Sequence, residues 1–268
     1  MGENKREKGV MKNPPEDIKK FRDFLSSIPL DKYRNELKDV KWVEQDLPRE
    51  ILPLLSIFRY YWEERKFLDF DKWFDEFWEE INTRPESRRA LEEFKRYHFN
   101  KALEENDWFK KGFKARMYRT WVSVLTQLDF CYMFEYICAK KGKNLQLECN
   151  AELDAKGIDA RVKDIDFQIA KISQRKEART VSRKKRVITI PYAVFNVEEF
   201  EKRLGSSRVK DKAGYEKSLK SFYKYFTRLQ NGFVVFHENY LNPIIDNIDD
   251  IEKVRKVVEQ ISLELSGE

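Results

Sequence analysis

The sequence predicts an α/β (α+β) protein with a helical N-terminal region and a strand-rich core. From about residue 16 to 140, apolar side chains recur three and four positions apart, which is the spacing of amphipathic helices. From residue 145, short segments alternate polar and apolar positions with period two, and helical patterns then return. Helices followed by a strand-rich centre and mixed elements are typical of α/β or α+β domains.

The regular elements follow in order along 268 residues, a length that suits one large domain or a core with a helical extension. Residues 1–14 are polar and run into a Pro-Pro pair, which favours a flexible arm. Residues 15–110 form the predicted helical N-terminal region, and 111–268 form the core. The helix that opens the core has an apolar face and is expected to end at Gly142. That face consists of Phe113, Met117, Trp121, Val124, Leu128 and Tyr132.

After this helix, the alternating pattern predicts strands at 145–149, 157–162, 165–172, 187–190 and 232–236. Helices are expected at 197–204, 213–229 and 249–265. Ten aromatic residues lie within 58–78. They could form a stacking platform for nucleic-acid bases, but their helical spacing favours a helix core.

Composition excludes several classes of function. The chain has three cysteines without a CxxC pair, which argues against a disulfide framework and favours a reducing, cytoplasmic location. Two histidines cannot supply a multi-histidine metal site and make a Ser-His-Asp mechanism unlikely. The polar N-terminus lacks a signal peptide, and the longest apolar run is too short to span a bilayer. The 37% of charged residues, with little glycine or proline, is a composition common in thermophiles.

An acidic segment from Glu152 to Lys171 is the most informative part of the sequence. If Lys163 and Asp164 form a two-residue turn, positions that sum to 327 face each other across a hairpin, and Asp159 lies opposite Gln168. Such opposed side chains are about 5 Å apart, so the two oxygens could share one cation. Oxygen donors select Mg²⁺, the ion that phosphodiester cleavage needs. The alternative is a solvated hairpin with ordinary surface charges.

A basic stretch follows this segment directly. Its cations are Arg175, Lys176, Arg179, Arg183, Lys184, Lys185 and Arg186, with Glu177 as the one acidic residue among them. Such a cluster can neutralise DNA phosphates, and its arginines can read guanine edges in the major groove. The alternative is a solvated charged face. The position directly after the candidate metal site favours the DNA-binding interpretation.

Several blocks of this sequence resemble the TaqI restriction endonucleases, type II enzymes of the PD-(D/E)xK-like nucleases. They are 42–50 (WVEQDLPRE), 115–128 (ARMYRTWVSVLTQL), 152–154 (ELD), 157–159 (GID), 171–173 (KIS) and 232–236 (GFVVF). The resemblance implies a restriction-endonuclease-like mixed-sheet core and Mg²⁺-dependent cleavage of double-stranded DNA within TCGA. It also implies that Asp154 and Asp159 are the acidic active-site pair.

One departure from the family concerns the second strand of the hairpin. The family pattern there is acid-x-Lys-Lys, whereas this chain has Gln168, Ala170 and Lys171 in the acid and lysine positions. Strand alternation puts Gln168 and Ala170 on one face and Lys171 on the other. Lys171 could therefore serve only through a bulge or a long reach. The alternatives are weakened activity and a deliberately inactivated variant.

The first hypothesis is thus a type II restriction endonuclease with Mg²⁺ as its cofactor. In it, Asp159 binds the metal, Asp154 is a second ligand or an orienting carboxylate, Gln168 is a further ligand, and Lys171 orients the water. A palindromic target favours a homodimer in which each subunit cuts one strand. The second hypothesis is a non-catalytic DNA-binding protein on the same fold, and the third is a helical interaction protein.

Overall fold

The computed structural model describes residues 12–37, 40, 43, 45–99, 106–172, 187–193, 197–206 and 210–268. The chain forms two compact units. One, here called the helical unit, includes Lys20–Leu128, and the other, the sheet unit, consists of Pro14–Lys19 and Asp129–Glu268. The helical start of the chain and the strand-rich centre that the sequence predicts are both present. No described helix is long and apolar enough to cross a membrane.

Among the described residues up to 140, the structure has six α-helices. They are α1 (Pro14–Ser27), α2 (Leu30–Leu37), α3 (Leu54–Phe58), α4 (Phe70–Thr83), α5 (Pro85–His98) and α6 (Asn106–Lys140). A 3₁₀ turn at Arg49–Ile51 and a π-helical segment at Arg59–Glu63 flank α3. Local sequence sets the boundaries: the Asp69 side chain accepts the Lys72 N–H as the N-cap of α4, and Gly142 follows α6 with a left-handed φ of 63°.

Aromatic packing between α4 and α6 forms the core of the helical unit. Phe70 makes edge or tilted contacts with Tyr118 and Trp121 at ring-centroid distances of 5.1 and 5.3 Å. Trp73 stacks on Phe77 at 5.4 Å, and all of these α4 rings are buried. This burial confirms the helix-core interpretation of the aromatic residues on α4, since a stacking platform for bases requires exposed ring faces.

The sheet unit is built on a four-stranded mixed sheet. Its strands are β1 (Leu147–Glu148), β2 (Ala160–Val162), β3 (Ile165–Ile172) and β4 (Ile188–Ala193), in that order. The first three strands pair antiparallel, and β4 pairs parallel to β3. A separate antiparallel pair consists of β5 (Phe226–Arg228) and β6 (Val234–Phe236). The helices of this unit are α7 (Ala151–Asp154), α8 (Val197–Gly205), α9 (Lys212–Tyr225), α10 (Glu238–Asp246) and α11 (Ile251–Ser266).

Phe130 joins the end of α6 to both sheets. Its ring lies 5.8 Å from Phe167 of β3 and 5.4 Å from Phe236 of β6. The neighbouring Asp129 is fully buried, and its carboxylate accepts the Phe236 N–H at 2.7 Å. The Tyr192 hydroxyl donates to the Val234 carbonyl at 2.6 Å and ties β4 to β6. Apolar contact and buried hydrogen bonds therefore fix the central sheet from one face.

Three local predictions differ from the structure. The helix expected at 213–229 ends at Tyr225, because the following residues pair with β6 as β5. The strand expected from 157 begins only at Ala160, because the preceding residues form the helical turn α7 and Gly157 has a φ of 76°. Helix α10 was not predicted, since its interior proline, Pro243, interrupts a helical pattern in the sequence.

Candidate active site

The hairpin of β2 and β3 has the register that the sequence predicts. Arg161 pairs with Asp166 and Val162 with Ile165, and Lys163 adopts a φ of 53° in the two-residue turn. One position beyond β2, the Asp159 N–H donates to the Phe167 carbonyl at 2.8 Å. Asp159 is therefore bonded to Phe167 through its N–H and to Ile169 through its side chain, the two residues on either side of Gln168.

The Asp159 carboxylate is buried, with 6% of the residue exposed. It accepts the backbone N–H of Ile169 on the facing strand. Loss of hydration raises its pKa from 3.8 to about 7, an effect that the Ile169 N–H opposes and the nearby charge of Asp154 increases. Burial that raises the pKa of a carboxylate is a condition that a bound divalent cation would relieve.

Asp154 is positioned by α7, the short helical turn before the hairpin. The Asn150 side chain caps this turn and accepts the N–H groups of Glu152 and Leu153 at 3.1 and 3.0 Å. The turn closes when the Gly157 N–H donates to the Asp154 carbonyl at 2.8 Å. This closure brings the Asp154 charge close enough to Asp159 to affect its pKa. The family resemblance implied this pair of carboxylates. It did not indicate the helical turn that positions Asp154.

Gln168 extends from β3 toward the same loop. A Cβ atom built on Gly157 would lie 4.0 Å from Gln168 Nε2, so the amide group passes directly over this glycine. The left-handed φ of Gly157 disfavours any residue with a side chain here. Since an amide carries an oxygen and a nitrogen at equal reach, Gln168 can present its oxygen beside Asp159.

The next row on this face of the hairpin is a closed ion pair. Arg161 donates to both carboxylate oxygens of Asp166 at 2.6 and 3.2 Å. Bidentate pairing of this kind holds both side chains in one geometry. Asp166 thus differs from Asp159, because its charge is already matched by a cation from the facing strand.

Thr189 extends the row of Asp159 and Gln168 across the sheet and was missed in the sequence. It pairs with Gln168 in the parallel register of β3 and β4, so the two side chains share a face. The residue is 3% exposed, and among the described residues its hydroxyl has no hydrogen-bond partner. Only the crossover connection between the two strands brings Thr189 here, and no local pattern in the sequence predicts that pairing.

The lysine position of the family falls on Ala170, on the same face as Gln168. Strand β3 pairs with β4 without interruption from Phe167 to Ile172, so the described strand contains no bulge. Lys171 accordingly points to the opposite face and is exposed, opposite Tyr192 in the register. Of the two routes by which Lys171 could reach the site, only the long reach is compatible with this pairing.

The donor chemistry fits a hard cation. Two carboxylates and one side-chain amide lie around the α7–β2 loop and the adjoining strand β3, and their oxygen atoms are donors of a type that suits Mg²⁺. Among the described residues, no group of three or more histidine, cysteine, aspartate or glutamate side chains is placed to hold a metal ion. A third ligand would therefore come from Gln168. The seven basic residues predicted to contact DNA, from Arg175 to Arg186, lie outside the described residues.

Comparison with known protein families and proteins gives matches over most of the chain. The sequence profile of the TaqI restriction endonuclease family matches residues 18–248. This chain belongs to that family. It is 35% identical over 241 residues to the type II restriction enzyme TthHB8I of Thermus thermophilus and 36% identical over 241 residues to the type II restriction enzyme TaqI of Thermus aquaticus. Each alignment covers 85% of this chain and 86% of the relative. No solved structure matches the chain.

We expect Asp159→Asn to stabilise the fold at alkaline pH. Because the folded state raises the pKa of Asp159, this state keeps a proton that the unfolded chain releases as the pH rises from about 4 to 7. Stability is therefore lost over that window, and asparagine avoids the loss while still accepting the Ile169 N–H. Urea unfolding in EDTA should show a gain of roughly 2 kcal/mol at pH 8 that shrinks toward pH 4. Asp164→Asn in the exposed turn is the control, and an equal gain at both pH values would contradict the assignment.

A second prediction concerns the buried hydroxyl of Thr189. Thr189→Val replaces this hydroxyl with a methyl group of the same shape, so the free energy of unfolding should rise by about 1 kcal/mol. Thr189→Ser keeps the hydroxyl and loses the methyl group, and it should lower stability by roughly the same amount. Chemical denaturation of the three proteins measures both changes. A destabilised valine variant would mean that the hydroxyl has a partner in solution.

Proposed function

We propose that the protein is a type II site-specific deoxyribonuclease that hydrolyses double-stranded DNA within TCGA with the aid of Mg²⁺. The observation that carries the proposal is the buried Asp159 carboxylate, bonded to the strand of Gln168 and close to the charge of Asp154, in a chain matched by the TaqI family over residues 18–248. The sequence specificity rests on the family resemblance alone.

In this proposal, Asp159 and Asp154 hold the cation with Gln168 as a further oxygen ligand. The ion would activate water and stabilise the charge on the phosphorus and the leaving oxygen. The chain supplies the geometry: the ladder hydrogen bonds fix Asp159, and the capped turn fixes Asp154. Burial of Asp159 also keeps bulk water away from one side of the site, which strengthens the carboxylate–cation attraction.

Lys171 is the proposed water-orienting residue. It lies on the face of β3 opposite to that of Gln168 and Ala170. The alanine occupies the position on the site face where the family has a lysine. A second candidate function follows from this observation: a weakened nuclease, or a DNA-binding protein that does not cut. The two functions differ in one measurable property, which is cleavage in the presence of Mg²⁺ or Mn²⁺.

The proposed partners are duplex DNA and a second copy of the chain. A palindromic target has two-fold symmetry, so a homodimer can present one site to each strand. Residues Arg175, Lys176, Arg179, Arg183, Lys184, Lys185 and Arg186 are proposed to contact the DNA. A cytoplasmic location is proposed from the three cysteines, all of them buried free thiols in the structure.

The test is to incubate the protein with long unmethylated DNA and Mg²⁺ and to sequence the ends. We expect all ends to map to TCGA. Asp159→Asn should lose cleavage by several orders of magnitude but retain DNA binding, because phosphate contacts come from other residues. Binding is measured by fluorescence anisotropy in EDTA. Ends at another sequence would refute the specificity, and cleavage by Asp159→Asn at the rate of the unaltered protein would refute the metal site.

A paired substitution tests the lysine position. Ala170→Lys places an ammonium group on the face of Gln168, where it can stabilise the charge that develops on the phosphate. We expect the single-turnover cleavage rate to rise about tenfold or more, with little change in DNA affinity. Lys171→Ala is the matched control. If Lys171 reaches the site, Lys171→Ala should abolish cleavage and Ala170→Lys should not raise the rate. If neither substitution changes the rate, the catalytic lysine lies elsewhere in the chain.

A further inference from the structure

Helix α9 carries a basic surface that the sequence analysis did not single out. One side of the helix is buried through Ser218, Phe222 and Tyr225. The opposite side is exposed and consists of Lys212, Ala213, Glu216, Lys217, Lys220, Tyr223 and Lys224. On a helix with 3.6 residues per turn, these positions fall within one continuous arc of about 140°. Four lysines therefore face solvent together, with Glu216 as the acidic residue among them.

Three of these lysines have no oppositely charged partner among the described residues. Lys224 donates to Glu264 at 2.8 Å, but Lys212, Lys217 and Lys220 form no ion pair within the part of the chain that the structure describes. Lysines elsewhere on the surface are commonly paired, as Lys140 is with Glu238. Because Lys217 and Lys220 are one turn apart, their mutual repulsion costs the isolated helix a few tenths of a kcal/mol. An anionic partner would remove this repulsion.

The sequence around α9 also has a positive net charge. Residues 200–230 contain nine lysines and arginines against three acidic residues, a surplus equal to the net charge of +6 of the whole chain. One of the three acids, Asp211, is already engaged as the N-cap of α9 through the Gly214 N–H. Positive charge is therefore concentrated in this stretch of the sequence.

Tyr223 adds a second feature on the same side. It is 52% exposed, which is unusual for a large aromatic residue in this chain. A phenol beside lysines can donate a hydrogen bond to a phosphate oxygen while its ring contacts the sugar. The helix rises about 12 Å between Lys212 and Lys220, so its side spans several phosphates of one DNA strand.

We propose that the exposed side of α9, formed by Lys212, Lys217, Lys220 and Tyr223, binds the phosphate backbone of duplex DNA. In the sequence this surface lies outside the basic stretch 175–186, and it contributes affinity without reading bases. The proposal rests on the proposed function, in which duplex DNA is the substrate. It predicts that the lysines of α9 contribute a measurable part of the salt dependence of DNA binding.

The test measures the affinity of the full-length protein for a fluorescent duplex containing TCGA, in EDTA, over a range of NaCl concentrations. The double variant Lys217→Gln/Lys220→Gln should bind about tenfold more weakly in 0.1 M salt, and the slope of log affinity against log salt should fall by about 1.8. Lys217→Arg/Lys220→Arg keeps both charges and should retain the slope.

Two exposed lysines on other helices, Lys111 and Lys256, provide the matched control for the loss of two charges. Lys111→Gln/Lys256→Gln should leave the slope unchanged. An unchanged slope in the α9 glutamine variant, or an equal loss in this control, would overturn the proposal for α9. If the unaltered protein itself shows no salt-sensitive DNA binding, the proposed function fails as well. A protein that binds normally while its α9 variant keeps the full slope refutes the α9 surface alone.

Discussion

The hydrogen bond from the Ile169 N–H to the Asp159 carboxylate is the interaction on which the candidate site depends. It continues the β2–β3 ladder through a side chain after the backbone pairing of β2 has ended. This bond holds the carboxylate against the strand that carries Gln168 and Ala170. Every other feature of the site, including the approach of Asp154 and the position of the amide over Gly157, is arranged around that fixed group.

Burial makes this arrangement costly for the folded state. A carboxylate with a raised pKa is less stable in its charged form than it would be in water, and the Ile169 N–H opposes this effect without cancelling it. Packing within the sheet unit offsets this free-energy cost. Phe130 packs against β3 and β6, and the Asp129 carboxylate accepts a hydrogen bond from β6. Strained or destabilised groups of this kind persist where the surrounding packing determines them, and they are concentrated at functional sites.

Membership of the TaqI restriction endonuclease family does not remove the difference at Ala170. The uninterrupted pairing of β3 with β4 leaves no irregularity that would rotate Lys171 onto the face of Asp159. Strand β3 therefore presents Ala170, and not a lysine, on the face of Gln168. A catalytic ammonium group would have to come from Lys171 by a long reach or from another segment of the chain. The exposed lysines of α9 differ from the lysine position on β3, because they lie on a helix surface whose positive charge suits the DNA backbone.

The sequence by itself determined the local features of this protein. The turn at Lys163 and Asp164, the opposition of Asp159 and Gln168, and the apolar face of α6 all follow from side-chain periodicity and turn chemistry, which act between near neighbours. Only the tertiary structure decided the parallel pairing of β4, which puts Thr189 beside Gln168, and the conversion of the end of the predicted helix 213–229 into β5. Those outcomes depend on hydrogen bonds between segments far apart in sequence, and their partners leave no local pattern to detect. The pKa of Asp159 belongs to the same class, because burial is a property of the packed chain and not of the residue.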